Sequence, residues 1–127
     1  MIQANELRIG NKVYFNLMQE VRVITISYHE IRFAATHKIN KYQPLPLTHE
    51  ILEKAGFKNI GQDDLGGWTN YIKESNVVCG DVVLSFGEAG QNLYVKHSNN
   101  SVAYCLYLHQ LQNLYFALTG EELEIKL

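Results

Sequence analysis

Five histidines, two cysteines and a paired aspartate are the residues whose chemistry first invites a catalytic or metal-binding reading. Their spacing gives it little support. His29, His37, His49, His97 and His109 show neither the i, i+4 pairing of a helical zinc site nor a Cys-x-x-Cys partner, so no metal is expected. Asp63 and Asp64 fall in the Gly-rich run from Gly61 to Gly67, where acidic residues ordinarily close solvated turns. The glycines lack phosphate-loop or dinucleotide spacing, and no Gly-x-Ser-x-Gly elbow occurs. Cys79 and Cys105 each lie in an apolar, strand-like run, which argues for buried thiols. No catalytic residue and no cofactor is assigned, and the chain reads as non-enzymatic. An enzymatic alternative needs His97 or His109 to meet Asp63, Asp64 or Glu88 in one cleft.

Non-covalent recognition has more to work with. Tyr14, Tyr42, Trp68 and Tyr71 are candidates to stack a planar base, with Arg8, Arg22 or Arg32 holding a phosphate. The competing reading is that tyrosines in strands are half-buried packing residues and a lone tryptophan is core or interface. A second candidate surface is one face of a C-terminal helix, where His109, Gln112 and Asn113 fall on adjacent turns and line either a pocket or a subunit contact. A polar helix face needs no function, because the solvated side of a packed helix is polar in any case.

These residues must be placed by one core. The chain has 127 residues, 46% of them hydrophobic and 19% charged, which suits a single domain over 1–127 and excludes disorder. The net charge of -2 argues against wholesale coating of nucleic acid. Its distribution is uneven: residues 1–48 carry six Lys/Arg and three Glu, leaving the acidic excess to residues 49–127. No run is long and apolar enough to span a bilayer, and the first residues lack a signal core, so a cytoplasmic protein with no membrane partner is expected.

Residues 12–15 and 20–26 are β-rich, and Glu30 to Ala34 alternates as a third strand, giving a small SH3-like or barrel-like meander. The prolines of the stretch from Lys41 to Thr48 predict extended chain, a possible joint between subdomains. Thr48 then caps a short helix from His49 to Ala55, stopped at Gly56, with Phe57 returning to the core. After a Gly-rich loop and the stretch from Trp68 to Ile72, strands are expected from Asn76 to Phe86, from Asn92 to His97 and from Val102 to Leu106, with turn-forming residues between them. Leu108, Leu111, Leu114, Tyr115 and Leu118 form an apolar helical stripe that ends at Gly120 and should lie on the sheet. Leu123, Ile125 and Leu127 alternate as a closing strand. The expected class is therefore α+β, mainly antiparallel, with a short middle helix and a C-terminal helix packed on the sheet.

Three segments, Ala4 to Asn11, Pro44 to Phe57 and His109 to Leu123, resemble in order and wording a family of small, largely uncharacterised proteins from Bacteroidetes phages and prophages. The middle of the chain, about residues 58–101, carries no such wording. The resemblance transfers context and no active site. It implies an accessory protein in the host bacterial cytoplasm that binds something: a host protein, a small anionic ligand such as a nucleotide signal of antiviral defence, or a sister subunit in a homo-oligomer. The alternative is nucleic-acid binding in phage replication or regulation.

Overall fold

The computed structural model describes residues 2–17, 20–37, 41–62, 67–73, 82–87, 93–97 and 100–125. Cys79, Asp63, Asp64 and Glu88 lie outside the described residues, as do part of the expected strand from Asn76 and Leu127. Among the described residues the fold is α+β, with two antiparallel sheets and three α-helices.

Alternating β-branched and aromatic residues form the first hairpin. Strand β1 (Lys12–Leu17) pairs with β2 (Glu20–Thr25), Val13 opposite Ile24 and Tyr14 opposite Val23. Val13 is buried with Ile2, Leu7, Ile26, Ala34 and Tyr42, and Phe15 and Ile24 pack against this first cluster. The expected strand over Glu30 to Ala34 is instead helix α1 (Tyr28–Thr36). Its alternation fits both periods, and the N-terminal chemistry decides between them. The Ser27 backbone N–H donates to Glu30 Oε2 at 2.9 Å, and the Ser27 hydroxyl donates to the same oxygen, so Glu30 fastens the first turn. That hydroxyl holds the Glu30 carboxyl below the usual range. The third strand of the sheet is β3 (Tyr42–Gln43), on the other side of β1.

The Pro-Leu-Pro-Leu segment passes from one cluster to another. Tyr42 belongs to the first cluster, while Leu45 and Leu47 are fully buried in a second. The segment is stitched to residues 106–108: Leu108 N–H donates to Leu45 O at 2.8 Å, and Pro46 bridges Tyr107. Helix α2 (His49–Lys54) starts where Thr48 Oγ1 accepts from the Ile51 N–H at 3.2 Å, and Phe57 re-enters the core beyond it.

A five-stranded meander follows, β4 (Lys58–Gln62), β5 (Trp68–Lys73), β6 (Val82–Gly87), β7 (Leu93–His97) and β8 (Asn100–Cys105), each strand hydrogen-bonded to the next. Its inner face contributes Tyr71, Val82, Leu84, Phe86, Leu93, Val95 and Cys105 to the second cluster, with Leu52 of α2. Helix α3 (Leu108–Thr119) adds Leu108, Leu111 and Tyr115 from the expected stripe. Gly120 ends it in the left-handed region at φ 74°, its N–H donating to Phe116 O at 2.7 Å. The expected closing strand is absent over residues 121–125, yet Leu123 and Ile125 are buried while Glu122 and Glu124 are exposed. The alternation there reports burial of an extended segment against the core, without ladder hydrogen bonds. Replacing Ser27 by Ala should cost about 1 kcal/mol, read as a lower urea midpoint at unchanged m-value, because α1 then loses part of its N-terminal support.

Candidate functional site

The face of α3 that reads as solvated in sequence is instead buried: His109 and Gln112 are 1% and 2% exposed. It faces the N-terminal segment. Gln112 Oε1 accepts from the Lys12 N–H at 2.8 Å, and its Nε2 donates to Gly10 O at 3.2 Å and Leu123 O at 3.4 Å. Asn113 Oδ1 accepts from Asn11 Nδ2 at 2.8 Å and Arg8 Nε at 3.2 Å, while its Nδ2 donates to Glu6 O at 3.0 Å. Arg8 closes the network as a fork on Glu122, at 2.5 and 3.1 Å, with its guanidinium 4.3 Å from the Phe116 ring centroid. Four of the residues singled out in the sequence, Arg8, His109, Gln112 and Asn113, are thus brought to one place. Arg8, Gln112 and Asn113 spend their polar groups on protein partners, so they form a lock between α3 and the N-terminal segment and present no open ligand set.

His109 has no such partners. Neither ring nitrogen is hydrogen-bonded, and Nε2 lies 3.9 Å from Glu6 Oε1, beyond hydrogen-bond reach but within Coulombic range. Burial pushes its pKa below the usual 6.5, against the opposing pull of Glu6. The stability contributed by the neutral ring is therefore complete above pH 6.5 and is lost as pH falls below that value.

Beside the lock an open groove of about 470 Å³ runs between the N-terminal hairpin and the C-terminal segment, lined by Ile9, Lys12, Thr25, Gln112, Glu122 and Ile125 among others. Lys12 Nζ donates to Thr25 Oγ1 at 2.8 Å within it. Its volume lies in the range of small-molecule sites, though acids and a lysine share its rim.

No family model, curated protein or solved structure matches the chain. Its function has to be read from its own surfaces.

The remaining candidates are dispersed. Arg22 is exposed on β2, paired with Glu20 at 2.8 Å, and Arg32 is exposed on α1. Tyr14 is half-buried against the second cluster, beside a smaller hollow with Val23 and Ile51. Tyr71 is fully buried, its hydroxyl hydrogen-bonded to His49 Nδ1, and Tyr42 is 5% exposed, so neither offers a face to a ligand. Burial lifts the Cys105 thiol to about 11, which keeps it protonated and inert. Among the described residues no three His, Cys, Asp or Glu side chains gather as metal ligands, and no helix is long and apolar enough to cross a membrane.

Trp68 leads elsewhere. It lies on the outer face of the five-stranded sheet, turned away from α2 and α3, and its ring centroid is 5.1 Å from that of Tyr94. Tyr94 in turn is 5.9 Å from Tyr104, its partner across β7 and β8. Both tyrosines are exposed, at 40% and 59%. The indole reaches across β6 because Gly87 lies under it: a Cβ there would come 2.9 Å from Trp68 Cζ3. Asn70 and Ser85 share the ladder with the tyrosines, Ser85 Oγ donating to Asn70 Oδ1 at 2.7 Å. The next outward ladder holds Lys58, Ile72, Val83 and Lys96. The alternation Leu93-Tyr94-Val95-Lys96 puts Tyr94 and Lys96 on one face of β7, but only the folded structure shows that Tyr94 meets Trp68 on one side and Tyr104 on the other.

Two outcomes follow. Gln112→Ala should cost about 2 kcal/mol in urea unfolding, since it leaves the part-buried Lys12 N–H without an acceptor. His109→Phe should flatten the fall in stability that the native protein shows between about pH 7 and about pH 5, measured as the urea midpoint against pH.

Proposed function

We propose that the protein is a non-enzymatic accessory binding protein of phage type that captures a nucleobase-bearing anion on the outer face of its five-stranded sheet. One observation carries this reading: half-buried Trp68 and the exposed Tyr94 and Tyr104 form a continuous row of rings with Lys58 and Lys96 on the same face. Aromatic faces bind planar bases by stacking, and ammonium groups beside them meet phosphate. In phage context such capture fits counter-defence by sequestering a nucleotide-like signal. Among the described residues, the charged side chains placed on that face by strand register are the two lysines, so the face favours anions even though the chain as a whole is acidic. A second reading places a small ligand in the 470 Å³ groove, where Lys12 is the cation at hand; it predicts that Lys12→Ala abolishes binding while Tyr94→Ala does not.

Trp68 is the single tryptophan of the chain, so its fluorescence reports the site directly. Titration with nucleoside mono- and diphosphates and cyclic nucleotides should quench it. Tyr94→Ala should weaken the interaction about tenfold, from a stacking contribution of roughly 1–3 kcal/mol per base. Unchanged emission up to millimolar ligand, with the protein folded by circular dichroism, would remove the reading.

A further inference from the structure

The aromatic row runs across successive strands, and this bears on what occupies it. A site for a free nucleotide is concave and encloses most of its ligand. Here the rings lie along one sheet face, with Tyr94 and Tyr104 exposed and Trp68 half-buried, stepping from β5 over β6 to β7 and β8. A lone mononucleotide would cover one ring and leave the others in water. A chain of bases can use all of them, because every base offers a π face and successive bases reach successive rings.

Register supplies the second part of the match. Tyr94 and Lys96 are two residues apart on β7, and Asn70 and Ile72 are two apart on β5, so the lysine-bearing ladder runs beside the aromatic one at about 7 Å. Bases stacked on the rings therefore direct their backbone along a track with Lys96 near one end and Lys58 near the other. The Asn70 carboxamide lies in the aromatic ladder, where it can meet a base edge.

We infer that the occupant of this face is a single strand of nucleic acid, spanning two to three nucleotides across Trp68, Tyr94 and Tyr104. This rests on the stacking reading given above and specifies its ligand. Paired bases are excluded from such stacking, because their faces are already covered within the duplex. With two lysines beside the rings among the described residues, stacking dominates over counterion release, and the slope of log K against log salt should be no steeper than about -1.4.

The test uses the full chain and unstructured oligonucleotides of one, two, four and six residues, as DNA and as RNA, with Trp68 quenching and fluorescence anisotropy as readouts. Affinity is expected to rise at least tenfold from the mononucleotide to the tetranucleotide and then to level off, with a blunt duplex binding at least tenfold more weakly. Tyr104→Ala should erase the gain with length. Gly87→Ala, which removes no aromatic group but displaces the indole, should lower binding of every length at an unchanged urea midpoint. DNA and RNA binding equally, or one preferred, both support the single-strand assignment and identify its source. If the mononucleotide binds as tightly as the hexanucleotide, the inference fails while the stacking reading survives; if nothing quenches Trp68, both fail. A salt slope steeper than about -4, or burial of Trp68 by self-association in sedimentation velocity, also overturns the inference.

Discussion

The structure depends on α3 being buried on two sides. Its apolar stripe enters the core under the five-stranded sheet, and its polar face grips the N-terminal segment through Gln112, Asn113 and Arg8. Two hydrophobic clusters that share no buried residue are joined in this way. A buried polar contact is costly when half-made and specific when complete. Gln112 uses both ends of its amide, and Asn113 bonds to Arg8, Asn11 and Glu6 at once, so rotating α3 by a fraction of a turn would leave several buried groups unpaired. Apolar packing alone tolerates such slippage. The polar lock fixes the register of the helix against both clusters.

This arrangement explains what could be read from the sequence. Local punctuation was reliable: Thr48 caps α2, Phe57 returns to the core, and Gly120 ends α3, since each is decided within a few residues. The strand expected from Asn92 to His97 is present as β7 (Leu93–His97). Periodicity failed where two periods fit the same short run. Glu30 to Ala34 alternates as a strand would, and the deciding signal was Ser27 three residues before Glu30, a capping pair ahead of an apolar run. The segment around Leu123 and Ile125 failed differently, because burial alternates in any extended chain laid on a core.

The candidate site was legible only in part, and for a physical reason. Polar residues on a helix face read as solvated unless another polar surface is known to meet them, and the partners of Gln112 and Asn113 lie about a hundred residues away in sequence. Basic residues of the N-terminal half drew attention as an anion site, but Arg8 is committed to Glu122 and Arg22 to Glu20. Aromatic residues followed the opposite course. Tyr71 and Tyr42 vanish into the clusters, while Tyr94 and Tyr104, unremarked as single residues, gain meaning from strand pairing with each other and from the indole laid beside them.

The link between Arg8 and Asn113 spans 105 positions of sequence. Contacts of that range raise the topological complexity of the chain and slow its search for the native state. During synthesis the first cluster emerges early, but the side chains that register it against the rest arrive only with α3. Until then Asn11, Gly10 and the Lys12 amide have no acceptor or donor from the helix, and the N-terminal hairpin remains an unfinished subunit of structure. Registration of the first cluster against the rest is thereby deferred until α3 has been made.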